Sequence, residues 1–296
     1  MADPRVTDVF VNGPHSVWVD RGAGLERAPQ FDLDEHGLRS LAVRLVAAGG
    51  RHIDEATPCV DTRLSDGARV HAVLPPIATS GTLLSIRLPR AMPFTLGDLE
   101  QSGFFDRIAV SAVEELVVGR ANILVTGAAG SGKTSLLGAI LSAAPPTERI
   151  IAIEDVAELR VRHPHFVSLE ARQANLEGAG GLGLARLLRE ALRMRPDRLV
   201  LGECRGEEIR ELLGALNTGH DGGAGTLHAN SLDDVPARLE ALGSLAGMTP
   251  AAVARQAVSA IGAVLHVERT HGVRQLAELG SLAVDSAGRL IARSAR

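Results

Sequence analysis

Gly127-Ala-Ala-Gly-Ser-Gly-Lys133-Thr134 is the stretch that decides how the rest of this chain is read. Its spacing, G-x-x-x-x-G-K-[ST], is that of a loop whose successive backbone N–H groups wrap phosphate oxygens while a lysine reaches between the β and γ groups. Composition sharpens the point. Lys and Arg together number 31, and Lys133 is the one lysine among them. An arginine drift that stops at a single position marks a place where a flat guanidinium fork is too wide and a compact ammonium is needed. The flanks agree. Residues 121–126 form an apolar run of strand type, and residues 135–142 read as a helix stopped by Pro145-Pro146. Strand, glycine-rich turn and helix bring the partial positive charge of a helix N-terminus to the phosphates. Gly127, Gly130, Ser131, Gly132, Lys133, Thr134 and Ser135 are the candidate nucleotide contacts, with the Thr134 hydroxyl offered to Mg2+. ATP is the expected ligand.

At 296 residues the chain has room for one large or two medium domains. Hydrophobic residues make up 45%, and the core they form must be aliphatic, because aromatics are 2% and tyrosine is absent. A net charge of −4 gives no overall pull toward nucleic acid or an anionic membrane. Cys59 and Cys204 lack C-x-x-C spacing and read as reduced core residues of a cytoplasmic protein. The opening Met1-Ala-Asp-Pro-Arg-Val6 has no signal-peptide character, and no segment reaches membrane-spanning length. Any work at a membrane is therefore expected from its cytoplasmic side, through partner proteins.

Two regions are expected. Residues 6–11 and 16–19 are short β-type runs around the turn Asn12-Gly13-Pro14. Residues 38–48 have helical spacing and end at Gly49-Gly50; residues 59–64 and 69–74 flank the turn signal Asp66-Gly67; residues 82–88 are a further strand. These make a small α+β domain over residues 1–90. Pro89, Pro93 and Gly97 place a linker at 91–105. Over 106–296 strands and helices alternate, which predicts an α/β domain with a mostly parallel sheet. From Val264 onward, apolar and polar residues alternate as in antiparallel strands.

Three blocks downstream carry chemistry. The first, Arg149-Ile-Ile-Ala-Ile-Glu154-Asp155-Val-Ala-Glu158, ends an apolar strand in three carboxylates. Ligands of open α/β sheets bind at that edge, so these acids suit Mg2+ or a polarised water; they equally suit the first turn of a helix. The second, Asp197-Arg-Leu-Val-Leu-Gly202-Glu203-Cys-Arg205-Gly206, is again a buried-type strand ending in an acid. Gly202 stands where such segments usually carry Asp, which leaves Glu203 to orient or deprotonate a water. Before it, Arg186, Arg189 and Arg193 share one face of a helix over 184–194, more a solvated surface than a nucleic-acid groove. The third block runs from Asn217-Thr-Gly-His220 through Gly222, Gly223 and Gly225 to Thr226-Leu-His228-Ala-Asn230. Two histidines around a glycine-rich stretch suit a γ-phosphate sensor better than zinc, since no third ligand lies at suitable spacing.

In this order and spacing, GAAGSGKT, IEDVAEL, GECRG and TGHDGGAGTLHANS resemble the secretion ATPases of type II and type IV systems. The likeness is strongest to the tight-adherence (Flp) pilus assembly ATPases, with the conjugation-type type IV secretion ATPases as near relatives. Asn12-Gly13-Pro14, Arg51-His-Ile-Asp-Glu55, Asp66-Gly67-Ala-Arg69 and Ser85-Ile-Arg87 resemble the amino-terminal domain of the same group. The resemblance implies a RecA-like P-loop ATPase domain behind a mobile N-terminal domain, assembled as a hexameric ring. ATP would sit between the two domains, and its turnover would drive pilin polymerisation or export against inner-membrane platform proteins. Carried over by position, Lys133 and Thr134 hold phosphate and Mg2+, Glu158 and Glu203 are the water-activating and metal-side candidates, and His228 faces the γ-phosphate. Glu154, Asp155 and His220 join the nucleotide contacts, and Arg87, Arg160, Arg172 and Arg205 are candidate arginine sensors, some across a subunit boundary. The paired-cysteine zinc module of the type II export ATPases is absent, and the chain starts close to the first strand, without the helical region that precedes it in many pilus ATPases. Two rival functions share the motifs: conjugal DNA transfer, and a nucleotide-gated scaffold with little turnover.

Overall fold

Alternating burial in the first part of the chain and unbroken apolar runs in the second produce two kinds of β-sheet. The computed structural model describes residues 3, 5–22, 24–28, 33–88, 93–172, 180–270 and 272–295. The chain divides into two compact units, Met1–Met92 and Pro93–Arg296.

The first unit contains β1 (Asp8–Asn12), β2 (Val17–Asp20), β3 (Leu25–Arg27), α1 (Glu35–Ala48), β4 (Cys59–Arg63), β5 (Arg69–Val73) and β6 (Leu83–Arg87). The strands pair antiparallel in the order β3-β2-β1-β6-β5-β4. Helix α1 starts where the Asp34 carboxylate accepts the Gly37 N–H, and it buries Leu38, Ala42 and Val46, one stripe at a spacing of four. That stripe meets Val60, Val70, Ala72 and Leu84. Burial alternates along the strands, their other face being the more exposed one. Cys59 falls on that face of β4 and is exposed, which corrects its expected place in the core.

The second unit opens with α2 (Leu96–Gln101) and α3 (Val110–Val118), followed by β7 (Ile123–Gly127), α4 (Lys133–Ser142), β8 (Ile150–Glu154) and β9 (Phe166–Glu170). Then come α5 (Leu184–Ala191), β10 (Arg198–Cys204), α6 (Ile209–Leu216), β11 (Ala224–His228), α7 (Val235–Leu245) and α8 (Pro250–Ala260). Strands β12 (Ala263–Thr270), β13 (Val273–Val284) and β14 (Leu290–Ser294) finish it. The eight strands lie in the order β14-β13-β12-β7-β11-β10-β8-β9. From β12 to β9 every neighbour is parallel, while β13 and β14 are antiparallel. Strand β12, expected as antiparallel, thus lies parallel to β7 on one side and antiparallel to β13 on the other.

Helices cover both faces of the parallel region, which is why β8 reads Ile-Ile-Ala-Ile-Glu with every residue buried. Val125, Ile150, Ala152 and Val200 pack toward α2, α3 and α4; Leu124, Ile151, Ile153, Leu199 and Leu201 pack toward α5 to α8. Part of the stretch expected as a linker belongs to this core. Pro89 and positions 91–92 lie outside the described residues. Beyond them, Thr95 and Asp98 close a reciprocal capping box that starts α2, and Leu96 and Leu99 are buried beside Phe104 and Phe105.

Candidate functional site

Parallel strands end on a common edge, and here that edge collects the chemistry. Register places His228 of β11 beside Gly127 of β7, Cys204 of β10 beside Leu227, and His266 of β12 beside Thr126. Gly127, at φ 150°, opens the glycine loop in a conformation that L side chains rarely adopt. A Cβ there would stand 2.2 Å from the Val267 carbonyl oxygen and 2.6 Å from Ser131 Oγ. Gly132 is the residue before α4, which begins at Lys133. The first N–H groups of a helix have no intrahelical acceptor, so those of α4, including Thr134 and Ser135, head an anion site.

Lys133 is 7% exposed. Its ammonium donates to the carbonyls of Gly127 at 2.9 Å and Ala128 at 2.8 Å, and lies 3.4 Å from His228 Nδ1. On the far side of that ring, Nε2 is 2.5 Å from Glu203 Oε1, and the other Glu203 oxygen contacts the Arg205 guanidinium. The order is therefore Lys133, His228, Glu203, Arg205. An ammonium can only donate, so Nδ1 of a neutral His228 is the acceptor, which leaves the ring proton on Nε2, the atom that faces Glu203. Electrostatics match this tautomer. Burial, then the neighbouring Lys133 charge, lowers the His228 pKa, with Glu203 opposing. Burial also lowers the Lys133 pKa, Glu203 again opposing. The hydrogen bond that Arg205 donates to the Glu203 carboxylate raises the Arg205 pKa.

Why Glu203 points into this row is visible in the backbone. The β10–β11 register slips by one residue between Leu201 and Cys204, a bulge that re-aims the side chain. Thr226 Oγ1 donates to the Gly202 carbonyl at 2.6 Å and pins it. Gly202 stands in the usual Asp position because Glu154 fills that space: a Cβ on Gly202 would meet Glu154 Cγ at 2.5 Å.

Other sequence candidates are placed differently. Glu154, expected to contact nucleotide, is 3% exposed, and its Oε1 accepts the N–H groups of Glu158 and Leu159, both at 2.8 Å. It fastens the acidic turn. Asp155 and Glu158 are exposed on that turn, close enough to Arg205 to raise its pKa. Arg160 is exposed, its carbonyl oxygen 2.8 Å from where a Cβ on Gly138 of α4 would sit. Arg172 Nε donates to the Gly180 carbonyl at 2.7 Å. Arg87 belongs to the first unit, where its Nε donates to Asp8 at 3.1 Å. His220 is a correction: its Nδ1 lies 3.2 Å from the Ala215 carbonyl oxygen at the end of α6. Strand β11 runs between His220 and His228, and its five residues alone separate them by roughly 13 Å. Only His228 reaches the glycine-loop edge.

Four residues that sequence reasoning missed complete this edge. Glu208 is 6% exposed, and its Oε1 takes the N–H groups of Arg205 at 2.6 Å and Gly206 at 2.8 Å, fixing the turn that carries Arg205. An acid opening the helix after a strand-end turn was a readable signal for it. Arg238 of α7 donates from Nε to the His228 carbonyl at 3.1 Å, and Arg274 of β13 donates from Nε to the Gly130 carbonyl at 3.1 Å. Buried His266 holds Thr126 Oγ1 at 2.9 Å, and burial lowers its pKa. No local pattern marks these three.

A family model described as "Type II/IV secretion system protein" matches residues 1–269. The "Putative conjugal transfer protein" of Mycobacterium tuberculosis is 50% identical over 283 residues, covering 93% of this chain and 80% of that protein. The "Type IV secretion system protein VirB11" of Brucella suis is 32% identical over 256 residues, covering 78% of this chain and 71% of its own length. Among solved structures, the ATPase DotB of Legionella pneumophila superposes with a TM-score of 0.61 at 19% identity, over 98% of this chain and 76% of that one.

Proposed function

The chain belongs to the type II/IV secretion system protein family, and we propose that it is an ATP-hydrolysing motor of that family. It acts as a hexameric ring on protein partners at the cytoplasmic face of a membrane, powering pilus assembly or export. Residues 106–296 serve as the RecA-like ATPase domain and residues 1–90 as the N-terminal domain. One observation carries the ATPase assignment: the row Lys133, His228, Glu203, Arg205 stands across the strand ends beside the glycine loop.

The residues fit a triphosphate. Gly127 lets the loop pass hard against the Val267 carbonyl, where a Cβ would clash, and the carbonyls that hold Lys133 are weak partners that phosphate oxygens replace. On ATP binding, Lys133 turns from Gly127 and Ala128 to the β and γ oxygens, and the α4 N-terminus adds its N–H groups. Neutral His228 then faces the terminal phosphoryl group without adding a second cation. Glu203, beside His228 Nε2, orients the attacking water and takes its proton. Arg205, with its side chain 62% exposed at the rim, is free to answer charge on the γ-phosphate of its own or a neighbouring protomer. Thr134, Glu158 and Glu203 would hold Mg2+, which when bound neutralises charge developing on the phosphates. Arg87, Arg160 and Arg172 stay as candidate sensors.

Lys133→Ala is expected to lower turnover by at least about 10²–10³-fold while circular dichroism stays that of the parent. Unimpaired hydrolysis in that variant sinks the assignment.

The relative named for conjugal transfer favours a second reading, a motor for DNA transfer. Pairing on α5 and in the turn that follows it speaks against a basic groove: Arg189 contacts Glu211 at 2.6 Å and Arg193 contacts Glu190 at 3.4 Å. Stimulation of turnover by DNA would decide for DNA transfer.

A further inference from the structure

A cavity of ≈ 430 Å³ opens beside the phosphate loop, between Ala128 and Ala129 on one wall and His228, Asn230, Asp234 and Arg238 on the other. Of the catalytic row only His228 lines it, and Arg238, Asn230 and Asp234 have no part in the catalytic row. We propose that this cavity is a transit site for inorganic phosphate, with Arg238 as its anion-binding group; the proposal rests on the ATPase assignment above.

Lys133 marks where a terminal phosphoryl group lies. Its ammonium takes the Ala128 carbonyl at 2.8 Å and stands 3.4 Å from His228 Nδ1. Ala128 and His228 are themselves walls of the cavity. A γ-phosphoryl group drawn to Lys133 in front of His228 therefore sits at the mouth of the cavity. Cleavage gives ADP, still held by the N–H groups at the start of α4, and a phosphate ion that has lost its tether. The cavity opens directly beside the position that ion is released from. At about 30 Å³ per water, ≈ 430 Å³ accommodates a phosphate ion together with much of its hydration shell.

The walls suit an anion that must pass and not stay. Arg238 has its Nε committed to the His228 carbonyl at 3.1 Å, which fixes the plane of the guanidinium. A guanidinium has four further N–H donors in a fork that matches phosphate oxygens. Asn230 adds an amide. Asp234, on the same wall, is a like charge for phosphate and keeps the site from becoming a trap. The backbone link from Arg238 to His228 also ties the exit to the residue facing the reaction. A phosphate that engages Arg238 has left the space Lys133 needs for the next ATP.

The experiment is product inhibition of the full-length ATPase by added inorganic phosphate, with ATP affinity measured on the same samples. Arg238→Ala is expected to raise the phosphate inhibition constant by about tenfold or more, well beyond any change in ATP affinity. Because Arg238 also touches the His228 carbonyl, Ala237→Glu serves as an independent variant. It places a carboxylate in the same wall without removing that bond, and phosphate inhibition should weaken in it too. Unchanged phosphate inhibition in both variants overturns the proposal. Equal losses of phosphate and ATP affinity also overturn it, by making the cavity part of the ATP site. A parent chain that neither binds nor cleaves ATP would instead refute the ATPase assignment itself.

Discussion

The two edges of the parallel sheet hold the same chemical pair, arginine with glutamate, under opposite conditions. At the edge where the strands begin, the Arg198 side chain is 2% exposed and its Nε meets Glu148 at 2.5 Å, while a terminal nitrogen takes the Val117 carbonyl at 2.9 Å. The second Glu148 oxygen meets Arg120 at 2.5 Å, and Arg120 also reaches the carbonyls of Asp197 at 2.8 Å and Asp221 at 3.0 Å. The end of α3 and the starts of β8, β10 and β11 are joined through one carboxylate. At the edge where the strands finish, Arg205 and Glu203 also touch, but their side chains are 62% and 22% exposed. A buried pair with both carboxylate oxygens engaged is a joint, and removing either member strands the other. A rim pair bordering a glycine loop is free to exchange partners when a phosphate arrives, which is what chemistry needs.

The sharpest break of this comparison comes from matched removals. Glu203→Gln keeps the shape of the side chain beside His228 and loses the charge and the basicity. Turnover should fall about 10²–10⁴-fold, ATP should still bind, and urea denaturation should shift little, because exposed pairs contribute at most about 1 kcal/mol. Undiminished turnover would move the base to Glu158. Glu148→Ala should do the reverse. Stranding Arg198 costs about 3–5 kcal/mol of stability, read from the urea midpoint, while the folded fraction keeps its turnover per molecule. A Glu148→Ala protein as stable as the parent would contradict the joint.

These two edges were not equally legible in the sequence. The phosphate loop and the strand-end acids are contiguous, so their spacing alone carried the prediction. The parallel sheet was legible because two-sided burial leaves whole apolar strands such as 150–153. Glu148 and Arg198 are 50 residues apart, and Thr126 and His266 are 140 apart. Partners brought together only by strand order leave no local trace. His220 shows the converse error: closeness in sequence to His228 suggested closeness in space, but a strand crossing the sheet carried the two to opposite edges. Cys59 was misplaced because a one-faced sheet alternates, and only the pairing reveals which parity is buried.

A smaller effect tests how tightly the finishing edge is built. Gly202→Ala sets a Cβ 2.5 Å from Glu154 Cγ, beneath the bulge that aims Glu203. The cost should be about 1–3 kcal/mol of overpacking, with a fall in kcat larger than any change in KM, since the displaced group is Glu203 and not the phosphate cradle. A silent Gly202→Ala would mean that Glu154 yields freely and does not hold the acidic turn.

The mildest expected effect is acid sensitivity, and it too should belong to the finishing edge. His228 and His266 both have pKa values lowered from 6.5, chiefly by burial, and His228 further by Lys133. Above pH 6.5 both are neutral in folded and unfolded chains alike, and their contribution is constant. As pH falls through 6.5 toward the lower folded values, unfolded histidines take protons that the folded ones resist. The unfolded state then binds more protons, so stability drops with pH. His228 has its side chain 37% exposed, so screening holds its share to about 1 kcal/mol or less. Turnover should fall over the same window for a second reason: a proton on Nδ1 would set a second cation 3.4 Å from Lys133. Melting temperatures between pH 8 and pH 5.5 check this, with His228→Gln expected to show a shallower pH slope than the parent. An unchanged slope would assign the acid sensitivity to His266, beneath the loop and bonded to Thr126, and leave His228 with only the role proposed for it in turnover.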